Sequence, residues 1–348
     1  MEITKELNEI SWQVPESIYR ADPALSYSTL SRFEREGFNN LSHLFDHISS
    51  PALTEGSMVD CLITGSKEEF DELYQVADFP SIGDKEKSVA DALYDKYHSY
   101  CTAFSDIPPT NILEVANDLG FQKNWREDTR VRVLTERIAP YYNLKVQTGS
   151  KTVVDRKTYD KVIAMVRALR NSPSTQGYFA DNDPLSPIRR YYQLKFKAKF
   201  EGIAYRCMAD ILICDYEDKK IYPIDLKTSG HKEWDFQDSF KQWCYMIQAR
   251  LYWRIIKANL MKDSYFKDFS LENYRFIVVN KDTLTPLVWE FPLTKSLGTL
   301  VDEREGKEYR DPFKIGSELQ GYLNLKPHVP NGIDMTGVNT IDCLKLKQ

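Results

Sequence analysis

The sequence predicts an α/β fold in which a largely helical first half precedes a mixed central β-sheet flanked by helices. Up to about residue 175, apolar residues recur with the period of about 3.6 residues that marks amphipathic helices. From about residue 188 the pattern changes to β-β-β-α-β, and neighbouring strand segments are joined by short turns. The chain has 348 residues, which suffices to bury a core without disulfides or a structural metal.

Each element is predicted from its local pattern. Residues 1–25 read as irregular, and a helix then begins near Ser26, with Ser28 as its N-cap. The other helical patterns of the first half lie at 55–64, 67–75, 88–104, 110–119, 127–139 and 156–170. The strand-like segments of the second half lie at 191–200, 204–214, 220–227, 274–280 and 285–291. One long helix is predicted at about 236–260, and residues 292–348 receive no assignment.

Composition argues against several classes of protein. No apolar run approaches the roughly eighteen residues of a membrane span, and the N-terminus lacks the features of a signal peptide, so a cytoplasmic location is expected. The six cysteines contain no C-x-x-C pair and the five histidines no H-E-x-x-H spacing, which disfavours zinc or iron–sulfur sites. The net charge of −5 differs from the basic balance of proteins that wrap DNA. Local charge decides DNA binding, however, and carboxylates that hold a metal lower the total.

The most informative segment is ADILICDYEDKKIYPIDLKTS at 209–229, which reads as a β-hairpin. A hairpin folded at the turn 216–219 places Asp210 directly opposite Asp225, with Cβ atoms roughly 4.5–5.5 Å apart. That separation allows two carboxylates to share one cation. Lys227 lies two residues after Asp225, so strand alternation puts it on the same face.

This arrangement of residue types fits metal-dependent phosphodiester chemistry. Two facing acids repel each other unless a cation neutralises them, and hard oxygen ligands suit Mg²⁺ or Mn²⁺. The metal would polarise a phosphate and activate a water, while Lys227 supplies positive charge or orients the nucleophile. The alternative interpretation is two solvent-facing acids with a surface salt bridge. The apolar neighbours of both acids disfavour it, because ionised acids are rarely buried without a partner.

The helix that follows the hairpin adds two candidate residues. Gln248 and Tyr252 are four residues apart and share a face that could reach toward the acids. The alternative is an ordinary core helix with a tyrosine hydroxyl extending to solvent. The apolar stripe of this helix consists of Cys244, Ile247, Leu251 and Ile255.

Together these segments resemble the PD-(D/E)XK nuclease superfamily, in particular its RecB-like and exonuclease VIII (RecE-like) branch. The resemblance covers about residues 26–290, including the helical segment 151–180, and rests on five motifs in the expected order. These are Ser26-x-Ser28-x-Leu30-x-x-Phe33, Glu55-Gly-Ser-Met-Val-Asp60, Met208-Ala-Asp210, Asp225-Leu-Lys227-Thr228 and Gln248-x-x-x-Tyr252.

The resemblance implies a restriction-endonuclease-like core and a set of site residues. A nuclease domain is expected at 26–291, with a helical part at 26–175 and the sheet core at 188–291. The implied catalytic residues are Asp210, Asp225, Lys227, Gln248 and Tyr252, and the implied metal ligands are Asp60, Asp210, Asp225 and Leu226. Position 60 is commonly His in the RecB-like group, and Asp there can still bind a hard cation. The cysteines of the iron–sulfur nucleases are missing, so no cluster is expected.

The resemblance also implies a function, namely that of a Mg²⁺-dependent (or Mn²⁺-dependent) exonuclease that digests linear duplex DNA. The implied direction is 5′ to 3′, and the implied role is recombination or repair of the phage type. Expected partners are double-stranded DNA ends and a single-strand annealing protein, with a homo-oligomer as an expected form and no membrane. Two alternatives stay open: a non-catalytic DNA-binding or assembly module of the same fold, and a structure-specific endonuclease. Residues 1–25 and 292–348 are given no role.

Overall fold

A computed structural model of the chain confirms the predicted α/β class with a mixed central sheet. The chain divides into two compact units. The sheet unit comprises residues 1–48, 172–280 and 285–348, and the helical unit comprises residues 49–171 and 281–284. The residues that the structure describes are 3–46, 48, 50–78, 82–149, 151–292 and 298–325.

The regular elements are numbered along the chain. The α-helices of the described residues are α1 (Glu16–Ala21), α2 (Tyr27–Glu36), α3 (Pro51–Thr64), α4 (Lys67–Leu73), α5 (Asp84–Tyr97), α6 (Pro109–Asp118), α7 (Glu127–Thr148), α8 (Arg156–Asn171), α9 (Phe236–Gln242), α10 (Tyr245–Leu260) and α11 (Pro312–Leu325). The strands of those residues are β1 (Tyr74–Ala77), β2 (Thr152–Asp155), β3 (Ile188–Phe200), β4 (Ile203–Asp215), β5 (Lys220–Ser229), β6 (Ser270–Leu271), β7 (Tyr274–Asn280), β8 (Pro286–Phe291), β9 (Leu300–Asp302) and β10 (Lys307–Tyr309). In the described part of the chain, every helix is too short or too polar to cross a membrane.

The central sheet of the sheet unit has the strand order β3-β4-β5-β7-β8, with the short β6 also paired to β5. Strand β5 is parallel to β6 and β7. The other neighbouring pairs, including β4 with β5, are antiparallel. The connection from β5 to β7 passes through α9 and α10, as a parallel pair requires a crossover. This topology puts β5, which carries the D-x-K motif, in the interior of the sheet.

Helix α10 packs its apolar stripe against β3 and β4 and also contacts α2. The four stripe residues predicted from the sequence are all buried, and three of them lie on α10 while Cys244 is its N-cap. The core of the unit extends beyond them, and its fully buried members include Leu7, Phe196, Cys207, Phe266, Phe276, Ile315 and Leu319. Burial of this apolar area supplies the main stabilisation of the sheet unit.

A buried ion cluster holds the start of α11 to α10. Asp311 accepts hydrogen bonds from Arg250 at 2.9 Å and from Arg254 at 2.8 Å, and the Arg250 side chain is wholly buried. Ile315 and Leu319 of α11 lie in the same core. The described part of the segment after residue 292, which the sequence left unassigned, is therefore an integral part of the sheet unit.

The helical unit has a core of its own, in which α7 packs against α5 and α6. The parallel pair of β1 and β2 belongs to this unit, and α8 contacts both strands. Its buried core residues include Val89, Leu93, Phe104, Leu134, Ile138 and Tyr142.

Several sequence-based predictions are wrong in detail. The predicted helix at 236–260 is two helices, because Cys244 adopts a left-handed backbone conformation with a φ of 55°. The N-cap of α2 is Ser26 rather than Ser28, since Ser28 already lies within the helix. Helix α7 continues to Thr148 through Pro140, and burial of the two following tyrosines offsets the lost backbone hydrogen bond. Strands β1 and β2 were not predicted.

Candidate active site

The hairpin of β4 and β5 has the predicted register. Its pairs run from Asp215 opposite Lys220 to Ile211 opposite Ile224, so the next positions along the two strands are Asp210 and Asp225. The turn at 216–219 forms because Asp215 Oδ1 accepts from the backbone N–H groups that follow, at 3.0 and 3.1 Å. A local turn thus determines which acids face each other.

Asp210 is fixed against the backbone of the opposite strand. The N–H of Leu226 donates to Asp210 Oδ2 at 2.9 Å. Leu226 lies between Asp225 and Lys227, so the carboxylate of Asp210 is held beside the D-x-K motif. Asp210 is half-buried, whereas Asp225 is only 1% exposed.

Asp225 is held by two of the residues predicted to accompany it. Gln248 Nε2 donates to Asp225 Oδ1 at 2.5 Å, and Lys227 Nζ lies 2.5 Å from Asp225 Oδ2. Burial alone would lower the pKa of Lys227, but the negative charge of Asp225 outweighs it and the net pKa is raised. The lysine is therefore an ammonium ion that neutralises a buried carboxylate.

The aromatic ring of Tyr245 lies beside Lys227, although the sequence analysis did not predict Tyr245 as a site residue. Lys227 Nζ lies 4.9 Å from the centroid of the Tyr245 ring, a cation–π contact. Tyr27 packs against Tyr245 with ring centroids 6.2 Å apart. Tyr245 precedes Gln248 by three residues on α10, and this same-face spacing could have identified it.

Tyr252 lies deep in the core and packs edge-on against Tyr274 of β7, with ring centroids 6.4 Å apart. Burial, and then nearby negative charges including Asp225, raise the pKa of both tyrosines well above 10.0. Both hydroxyls are therefore neutral at physiological pH. Tyr252 is only 8% exposed, so little of its side chain reaches solvent.

Gln193 of β3 lies beside this arrangement by strand register. The pairs Tyr192–Ile211 and Leu194–Ala209 flank it, which puts Gln193 opposite Asp210. Its φ of 52° is left-handed, a conformation that costs a non-glycine residue roughly 1–2 kcal/mol. Backbone strain of this kind concentrates at functional sites. The sequence pattern does not indicate the left-handed conformation of Gln193, because glutamine is an ordinary residue in a strand.

Asp60 belongs to α3 of the helical unit, where it is half-buried and its carbonyl oxygen accepts from Thr64 Oγ1 at 2.8 Å. Its role as a metal ligand stays a prediction. Across the residues that the structure describes, no three His, Cys, Asp or Glu side chains form a group that could hold a metal ion.

The donors of the sheet unit nevertheless fit a hard divalent cation. Mg²⁺ keeps several waters and is usually held by one or two carboxylates together with substrate phosphates. Asp210 and Asp225 supply two carboxylates on adjacent strands. The Oε1 atom of Gln248 is buried and accepts no hydrogen bond from the described residues, so it offers a further hard oxygen.

No protein family profile matches the sequence, and no curated protein matches it. Among solved structures, the chain is similar to a crystal structure from Eubacterium rectale named "putative exonuclease". The two share 12% identity with a TM-score of 0.44, over 97% of this chain and 96% of that one. This similarity therefore does not establish what the chain does.

Proposed function

We propose that this chain is a Mg²⁺-dependent DNA exonuclease of the PD-(D/E)XK type that hydrolyses phosphodiester bonds in linear duplex DNA. One observation carries the proposal. The buried carboxylate of Asp225 is bound at once by Gln248 and Lys227, while Asp210 is fixed one strand away. A structural ion pair needs only one acid. A second acid opposite Asp225 on the adjacent strand favours a metal-ion site, because one lysine cannot balance the charge of two ionised carboxylates.

The residues that would hold the metal are Asp210 and Asp225, with Leu226 and Asp60 as further ligands by motif resemblance. A bound Mg²⁺ or Mn²⁺ supplies Lewis-acid polarisation of a phosphate and lowers the pKa of a water. The amide of Gln248 orients Asp225, as residues that bind ligating carboxylates do at metal sites.

Lys227 would supply positive charge to the reacting phosphate. Its ammonium group is held between the carboxylate of Asp225 and the ring of Tyr245, so its position is restricted before DNA binds. A fixed cation in a site of low polarity stabilises the charge that develops on the phosphate oxygens in the transition state. Tyr252 would act through burial, by keeping water from the inner side of the acids.

The substrate and context in the proposal come from the motif resemblance. The proposed substrate is the end of double-stranded DNA, which is digested 5′ to 3′. The proposed role is recombination or repair of the phage type. In this role the chain would act as an oligomer together with a single-strand annealing protein. The net charge of −5 implies that DNA is bound by a local surface rather than by the overall field.

The test compares a linear duplex with a covalently closed circle of the same sequence, using the full purified chain with Mg²⁺, Mn²⁺ or EDTA. We expect the linear DNA to be degraded only with metal and the circle to survive. Asp225→Asn should lower the rate by about 100-fold or more, because it weakens binding of the metal ion that stabilises the developing charge. Asp218→Asn, in the exposed turn of the same hairpin, is the matched control and should retain the rate.

Each other outcome identifies an alternative. Cleavage of the circle would indicate the structure-specific endonuclease. DNA binding without any cleavage in either metal would indicate the non-catalytic module. Full activity in Asp225→Asn would show that the proposed active site is wrong.

A further inference from the structure

The break between α9 and α10 exposes a tryptophan next to the candidate active site. Trp243 lies between the two helices and is 41% exposed, although tryptophan is usually well covered. The break depends on Cys244, whose φ of 55° is left-handed while its side chain is buried in the core. A non-glycine residue in this conformation is strained, and such strain persists where the surrounding structure requires it.

A guanidinium group lies over the ring of Trp243. The guanidinium carbon of Arg35 lies 5.0 Å from the centroid of the Trp243 ring. Arg35 is itself oriented by a 3.1 Å hydrogen bond from its Nε to the carbonyl of Ser31. An indole with a guanidinium at its face offers both a flat apolar surface and a positive charge.

This pair is connected to the candidate active site by direct contacts. The hydroxyl of Tyr27 donates to the carbonyl oxygen of Trp243 at 2.7 Å. Tyr27 packs against Tyr245, and the ring of Tyr245 lies 4.9 Å from Lys227 Nζ. Two aromatic residues therefore separate Trp243 from the ammonium group at the reacting centre.

A second pair of the same kind lies on the same connection. Trp234 is 58% exposed, and Lys232 Nζ lies 5.1 Å from its ring centroid. Trp234 and Trp243 both follow β5, the strand that carries Asp225 and Lys227, within fifteen residues of its last residue, Ser229. Exposed aromatic rings with cations close to them are the combination that single-stranded nucleic acid binders use, because bases stack on the rings while cations attract phosphates.

We propose that Trp243 and Arg35 form a stacking site for a base of single-stranded DNA, which receives the strand that enters the active site. The ligand class rests on the proposed function, since the strand to be cut must separate from its complement at the duplex end. Trp234 and Lys232 form a second contact along the same strand. At each of the two rings a cation is available to a phosphate, although the chain as a whole is acidic.

The test measures binding of fluorescein-labelled oligo-dT to the full chain by anisotropy, in EDTA and in the Asp225→Asn background, so that cleavage cannot contribute. Trp243→Ala should raise the Kd by about 5- to 150-fold, the range for loss of one base–aromatic stack. Trp243→Phe keeps a ring and should retain most of the affinity. Trp125→Ala removes a tryptophan of similar exposure (43%) in the helical unit and is the matched control.

Three results would overturn the stacking site. They are an unchanged Kd in Trp243→Ala, an equal loss in Trp125→Ala, and tighter binding of oligo-rU than of oligo-dT. Failure of the proposed function is a separate outcome, because it is measured as absent cleavage of linear duplex by the unmutated chain. Far-UV circular dichroism of Trp243→Ala should match the unmutated chain, and the ring-retaining Trp243→Phe keeps the test decisive if it does not.

Discussion

Replacement of Lys227 by methionine tests whether this lysine balances the charge of a buried carboxylate. Asp225 is 1% exposed, and its Oδ2 lies 2.5 Å from Lys227 Nζ. Methionine keeps most of the length of the side chain but removes the charge. Among the residues that the structure describes, Gln248 still donates a hydrogen bond to Asp225, but this neutral amide cannot neutralise the carboxylate.

The size of the effect follows from this burial. Removal of one partner from a buried ion pair typically costs about 3–5 kcal/mol. The side chain of Lys227 is 19% exposed, so some water reaches the pair and we expect the lower end, about 3 kcal/mol. The matched control is Lys220→Met on the same strand. Its pair with Asp218 is exposed at both ends, and such pairs contribute about 0–1 kcal/mol.

The assay is urea unfolding at neutral pH, followed by far-UV circular dichroism in EDTA and then in Mg²⁺. If the acids bind a cation, Mg²⁺ should restore stability to Lys227→Met, by about 2.7 kcal/mol when its concentration is 100-fold above the Kd. The double variant Asp225→Asn with Lys227→Met has neither charge, so it should be more stable than Lys227→Met in EDTA and respond less to Mg²⁺.

The charge-balance account would be refuted if Lys227→Met lost no more stability than Lys220→Met. It would also be refuted if the double variant were no more stable than Lys227→Met, because the buried charge would then not be the source of the loss.

Three further predictions concern other parts of the sheet unit. Asp311→Ala leaves the wholly buried Arg250 without its acid, so the free energy of unfolding should fall by about 3–5 kcal/mol in urea titrations; a loss below about 1 kcal/mol would contradict it. Burial alone would raise the pKa of Asp263, but the bond from Lys5 lowers it overall. The stability that Asp263→Asn removes should therefore be present at pH 7 and vanish as the pH falls below 3.8, which unfolding measured against pH would detect. Gln248→Leu should lower the rate of DNA cleavage by about 10- to 100-fold while the Kd for DNA stays unchanged, as measured by single-turnover kinetics. An unchanged cleavage rate would show that Gln248 does not orient Asp225.

The sequence predicted most about the site where its geometry is local. A short turn and strand pairing determine that Asp210 and Asp225 face each other, and both signals lie within one hairpin. The helical spacing of Gln248 was likewise readable, and its bond to Asp225 followed once α10 packed on the sheet. Gln193 gave no signal, because its left-handed backbone depends on the strand around it.

The remaining misses came from contacts between distant parts of the chain. The apolar stripe continues through Cys244, so periodicity alone reads α9 and α10 as one helix. Strands β1 and β2 are four residues each and pair across more than seventy residues, which a local pattern cannot reveal. Helix α11 joins the core through the ion cluster of Asp311, whose arginine partners lie about sixty residues earlier.

The proposal that Asp210 and Asp225 together bind a divalent cation is tested most directly by anomalous diffraction from crystals of this chain soaked in Mn²⁺. We predict a Mn²⁺ peak at coordination distance from both carboxylates, and its loss in crystals of Asp210→Asn. Manganese sites only elsewhere, in crystals where both carboxylates are ordered, would contradict the account.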